Sequence, residues 1–199
     1  MEQVRAAGRD WLIECAINRV EALNLWLEDP ASPVTMATGR HFDAVVVHDR
    51  LGLETLDLIS KHGLPATPAM IDIRARKIAL LMPSHAQRVF ATLLDNMDAL
   101  IETVHYLAED GFLVIPGPKP REDSRHQWLV PPNGRPDSSK LRAAAVGLAM
   151  CNAAQHLNQQ RIPHSSAAKP PATIYPVGKV VRQQPTPVTS DHEWPEVTQ

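Results

Sequence analysis

Apolar positions recur along the opening of the chain at helical intervals. Trp11, Leu12, Cys15, Ala22, Leu25 and Trp26 are spaced by three, four and seven, which predicts helix over residues 2–28, as one rod or as two separate helices. Asp29 and Pro30 stop it, because the residue before proline avoids the α region. The period then changes. Residues 34–37 form a short strand candidate, Thr38 and Gly39 a turn, and residues 42–47 a run of β-branched side chains too continuous to be half exposed. That run predicts a central strand buried on both faces, ending in the polar residues His48, Asp49 and Arg50. A helix over 53–61, closed by Gly63, follows, so strand, helix and next strand read as a crossover unit.

Residues 69–73 and 77–82 predict a hairpin with Arg74, Arg76 and Lys77 at its tip. Ser84 is placed to cap a helix reaching residue 96, with Val89, Leu93 and Leu94 on its buried side. Strands at 101–107 and 112–115 flank a Glu109, Asp110, Gly111 turn, and a proline-punctuated loop at 116–127 leads to a strand at 128–130. Asp137 or Ser138 caps a last helix to about residue 159, whose apolar residues are Leu141, Ala145, Leu148, Ala149 and Leu157. The pattern predicts an α+β fold, a mixed sheet of six or so strands flanked by helices, over residues 1–160. From 161 to 199 the helical period is gone. Pro163, Pro170, Pro171, Pro176, Pro185, Pro187 and Pro195 crowd this stretch, which reads as a disordered, proline-rich tail.

Composition narrows the function. A formal net charge of −2 over 199 residues argues against non-specific DNA binding by the chain as a whole, although a local basic face is compatible with it. The two cysteines, Cys15 and Cys151, lie among apolar neighbours and read as buried thiols; no C-x-x-C pair suggests thiolate zinc. The first residues lack the apolar core of a signal peptide, and no run approaches the ~20 apolar residues of a membrane span. The expectation is a cytoplasmic protein without a membrane partner.

Four segments carry a family resemblance. They are LWLEDPASPVTMATG (25–39), FDAVVVHDR (42–50), GLPATPAMIDIRARKIALLMP (63–83) and GFLVIPGPKPREDSRHQWLVPPNG (111–134). In order they resemble the N-terminal domain of bifunctional DNA primase/polymerases, the prim-pol branch of the archaeo-eukaryotic primase superfamily, in a degenerate member of actinobacterial type. The match covers roughly residues 11–158. It implies a primase/polymerase-like, RRM-related core, and a relative of metal-dependent nucleotidyltransferases. The family's two metal-binding aspartates fall at or near His48 and Arg50, and its glycine-pair and histidine stretch falls on Arg74, Ala75, Arg76 and Lys77. Two-metal nucleotidyl transfer needs carboxylates to hold the ions, and arginine at a ligand position repels them. No catalytic residue, resident metal or cofactor is therefore assigned.

What the resemblance leaves is nucleotide or nucleic-acid binding by Asp43, His48, Asp49, Arg50, Arg74, Arg76, Lys77 and Trp128. Each has a plainer reading. Asp43 also fits a strand-start residue bonding nearby amides, the basic tip a solvated turn, and Trp128 a core side chain. Arg121, Arg125, His126 and Arg135 lie near Trp128, with Glu122, Asp123 and Asp137 diluting the charge. His48 and Asp49, with His41 and His85, supply metal-type donors on paper, the alternative being a polar strand terminus. Two further functions stay open. One is an active primase/polymerase with relocated ligands such as Asp43 and Asp49, using magnesium or manganese. The other is a protein-interaction module whose partner binds the tail through Trp194.

Overall fold

The computed structural model describes residues 4–94, 104–135 and 140–161. The proposed tail, the Asp137 and Ser138 caps and the first part of the strand expected at 101–107 lie outside them.

The opening stretch is two helices, α1 (Ala6–Cys15) and α2 (Arg19–Glu28). They part at Ala16, whose extended backbone ends α1, and Asn18 restarts the chain by accepting the Glu21 amide at 3.2 Å. Strand β1 (Val34–Ala37) follows, then a turn at Gly39, whose φ of 98° suits glycine. Strand β2 (Phe42–His48) is almost wholly buried and leads directly into α3 (Asp49–Lys61). The helix thus begins four residues earlier than 53. Asp49 is its first residue rather than a strand terminus, and a carboxylate there suits the helix dipole. Gly63, at φ 61°, closes the helix as expected.

Strands β3 (Ala69–Asp72) and β4 (Lys77–Pro83) form the predicted hairpin. Helix α4 (Gln87–Leu94) starts three residues after Ser84, and Phe90 rather than Val89 is its buried anchor. Strands β5 (His105–Leu107), β6 (Phe112–Ile115) and β7 (His126–Val130) precede the last helix, α5 (Lys140–Arg161).

Among the described residues the strands make two sheets, and every pairing is antiparallel, not mixed. β1 pairs with β6, and a five-stranded sheet has the order β5-β2-β4-β3-β7. The crossover from β2 through α3 to β3 does leave those strands running the same way, but β4 folds back between them. The unit β2-α3-β3-β4-α4-β5 is a split β-α-β arrangement of ferredoxin-like type, with β7 added at one edge.

Alternation along β2 sends side chains to two cores. Val45 and Val47, with Ile78 and Leu80 of β4, meet α3, α4 and α5. Phe42 and Ala44, with Met70, Leu81 and Trp128, meet Trp11, Leu12 and Trp26 of α1 and α2, and Met36 and Ile115 of the two-stranded sheet. Gly52 lets α3 lie close on β4, because a Cβ there would come within 2.7 Å of Ile78. In α5 the expected apolar face holds only in part. Ala149 is buried and Leu157 packs against the core, but Leu141 and Leu148 are exposed, at 80% and 54%, while Ala143, Val146, Met150, Ala153 and Ala154 are buried.

Candidate sheet-face site

The end of the sheet at the β3–β4 turn gathers the polar residues. His48, the last residue of β2, is the register partner of Lys77, the first of β4. Lys77 is opposite Asp72 of β3, and Asp72 is opposite His126 of β7. The row His48, Lys77, Asp72, His126 therefore crosses four adjacent strands on the face away from α3, α4 and α5. At ~4.8 Å per strand it spans about 14 Å.

Above this row β6 forms one wall of a cleft of about 300 Å³. Val46, Met70 and Ala79 form its apolar floor, Phe112 and Val114 its wall, and Lys77, Asp72, Arg125 and His126 its polar end. Phe112 is 61% exposed despite its size.

Two carboxylates organise the charges. Asp72 accepts from Arg125 Nε at 2.9 Å and from the Ala75 amide at 3.0 Å, and forms a 2.5 Å ion pair with the Arg125 guanidinium. The hydrogen bonds from Arg125 pull its carboxyl down to about 2. His126 Nε2 lies 3.5 Å from the same carboxylate, yet burial pushes the His126 pKa down and favours the neutral ring. Asp49 accepts from Arg76 Nε at 2.8 Å and from the Arg50 amide at 2.7 Å, and these bonds, led by Arg76, lower its pKa. His48 Nδ1 sits 2.6 Å from Asp49 Oδ1. Arg76 has φ 53°, and its carbonyl accepts the Asp49 amide at 2.9 Å, which ties the hairpin turn to the start of α3.

Lys77 is half buried and has no salt bridge among the described residues. Arg50 and Arg74 are exposed nearby. Arg50, Arg74, Arg76, Lys77 and Arg125 thus face two local acids, Asp49 and Asp72, which leaves this end of the sheet positive despite the chain's overall balance. Glu122 and Asp123, exposed on the preceding turn, offset part of that charge.

His48, Asp49, Arg76 and Lys77 are brought together; Asp43 and Trp128 are elsewhere. Asp43 faces the helix side, fully buried, where Oδ2 accepts from Tyr106 Oη at 2.8 Å and from the Ala86 amide at 3.3 Å. Burial raises its pKa, and Oδ1 has no hydrogen-bond partner. Asp43 and Asp49 are six residues apart along β2 and its end, about 20 Å in extended chain, so they cannot share an ion pair of the two-metal kind. Trp128 is buried, and its indole N–H donates to the Gly117 carbonyl at 3.1 Å. It closes the core beneath the face instead of offering a stacking surface. Among the described residues, no three His, Cys, Asp or Glu side chains gather in a way that could hold a metal, and no helix is long and apolar enough to cross a membrane.

Asp72 was not legible as a site residue. Arg125 and His126 are visible in the sequence only as loop cations; register sets Asp72 opposite Lys77 and His126 opposite Asp72, and the ion pair with Asp72 brings in Arg125. No family model, curated protein or solved structure matches this chain.

Proposed function

We propose that the chain is a catalytically degenerate primase/polymerase-like domain, with an RRM-related core, that binds single-stranded nucleic acid or a nucleotide. Its role is that of an accessory protein in replication or in a mobile element. The observation that carries this reading is Lys77, without an ion pair among the described residues, in a polar row beside an open cleft on the sheet face away from α3, α4 and α5. RRM sheets hold single-stranded bases on the equivalent face, and an aromatic side chain beside cations suits a single strand. Here Phe112 supplies the exposed ring and Lys77 the cation for phosphate.

The departures at His48 and Arg50, together with the burial of Asp43 on the far face, support binding without nucleotidyl transfer. Fluorescence anisotropy with a labelled single-stranded oligonucleotide tests the binding, with free nucleotides as competitors. A nucleotide-incorporation assay with magnesium and manganese tests the chemistry. Template-dependent extension abolished by Asp43→Ala would overturn the reading in favour of an active polymerase with relocated ligands.

A second reading is favoured by one surface. Ile17, Val20, Leu23 and Leu27 are all exposed on and beside α2, a stripe suited to a protein partner. Pulldown with full-length protein, with Leu27→Glu, and with residues 162–199 removed separates this stripe from the tail as the docking element.

A further inference from the structure

His48 stands apart from the other members of the polar row. It is half exposed, and its Nδ1 is held at 2.6 Å by a carboxylate that is itself braced by Arg76 and the Arg50 amide. A ring that donates from Nδ1 keeps its lone pair on Nε2. An imidazole oriented in this way by a carboxylate has the arrangement of a general base. Lys77 is its direct neighbour across the strands, on the same face, with its ammonium in no ion pair among the described residues.

The donor set limits which phosphodiester chemistry these groups can support. Among the described residues no acidic or histidine cluster gathers to hold a pair of ions, so His48 could deprotonate an external nucleophile but no ion pair fixes its place at this face. One imidazole and one ammonium suffice where the nucleophile is already part of the substrate. RNA provides that nucleophile, the 2′-hydroxyl beside each phosphate.

We propose that His48 and Lys77 cleave single-stranded RNA by transphosphorylation, with Asp49 as a positioning residue. The inference rests on the reading that single-stranded nucleic acid lies on this sheet face. His48 Nε2 takes the 2′-hydroxyl proton as the 2′-oxygen bonds to phosphorus. Lys77 stabilises the charge that grows on the phosphoryl oxygens. The bond from phosphorus to the 5′-oxygen breaks, and the leaving oxygen takes a proton from the Lys77 ammonium, which solvent restores as the imidazolium releases its own. The products are a 2′,3′-cyclic phosphate and a 5′-hydroxyl, with no oxidant, reductant or further reactant.

The test uses the full chain, a 5′-labelled single-stranded RNA and excess EDTA. The expected result is fragments ending in 2′,3′-cyclic phosphate, identified by mass spectrometry, with DNA of the same sequence left intact. His48→Gln lowers the single-turnover rate at saturating RNA at least about 100-fold, the lower end of what a general base supplies, so that any change in affinity drops out, while its melting temperature stays at the wild-type value. Lys77→Met lowers both rate and affinity. Asp49→Ala lowers kcat for cleavage with KM for RNA and melting temperature unchanged, because the imidazole loses the carboxylate that orients it; an unchanged kcat would overturn the positioning role. RNA that is bound but not cut, or cutting that persists unchanged in His48→Gln, overturns the cleavage inference and leaves the binding reading standing. Absence of RNA binding by the wild-type protein removes both.

Discussion

Lys77 and Asp43 show how residue type and position part company. Both are charged strand residues, but one lies at the mouth of a cleft with no ion pair among the described residues and the other is buried on the helix side. Lys77→Glu should weaken oligonucleotide binding about 10- to 100-fold, the worth of one charge-assisted hydrogen bond of ~1.5–3 kcal/mol, as read by anisotropy at fixed salt. Asp43→Ala should leave binding intact and lower stability by ~1–3 kcal/mol in urea, because the part-buried Tyr106 hydroxyl loses its acceptor. The two buried or paired carboxylates also respond to pH with opposite signs. Asp72 is depressed to about 2 in the fold, so its contribution is present above its unfolded pKa of ~3.9 and is lost as pH falls toward 2. Asp43 is raised, so it favours the fold below that unfolded value, and its contribution is lost as pH rises through the folded pKa. Urea midpoints of Asp72→Asn and wild type should therefore converge as pH falls from about 4 to about 2.

At the scale of elements, β2 and the β3–β4 hairpin were the most legible parts of the chain. Continuous β-branched residues leave few alternatives to a buried strand, and Arg74 to Arg76 interrupt two apolar runs at hairpin spacing. The start of α3 was less legible, because the Asp49 carboxylate draws its support from Arg76, distant in sequence. Helix α5 misled for a different reason. Its leucines mark a plausible stripe, but close approach to α3 and α4 selects small side chains, so alanines go inward; a Cβ on Gly147 would meet Leu93 at 2.7 Å. Ala153→Leu should consequently cost ~1–3 kcal/mol through overpacking. Leu141→Ser, at an 80% exposed position, should stay within about 0.5 kcal/mol. Thermal or urea denaturation of the two variants gives the comparison, and the opposite ranking would mean that α5 docks by its leucine face.

For the whole molecule, strand and helix order was readable but strand direction was not. An α+β fold with helices on a sheet followed from periodicity, whereas the antiparallel insertion of β4 between β2 and β3 depends on pairing across the chain. The candidate site followed the same rule. Its β2 and β4 members stood out as clustered charges, while Asp72 and His126 joined them only through register. A molecule with net charge −2 and one positive sheet end should bind a single strand through few phosphates. With three or four contacts at ~0.7 each, the slope of log affinity against log salt should be roughly −2 to −3. A much steeper slope would point to a larger basic surface than this end of the sheet provides.

The β1–β6 ladder joins residues 34–37 to 112–115 and, among the described residues, pairs with no other strand. Fraying of this ladder would swing the wall carrying Phe112 away from Val46 and Ala79 without breaking a single bond of the five-stranded sheet. Its amides should therefore exchange with deuterium well before those of β2 and β4, and a ligand seated beneath should slow them selectively. The same ladder would then serve as the door through which anything reaches the cleft floor.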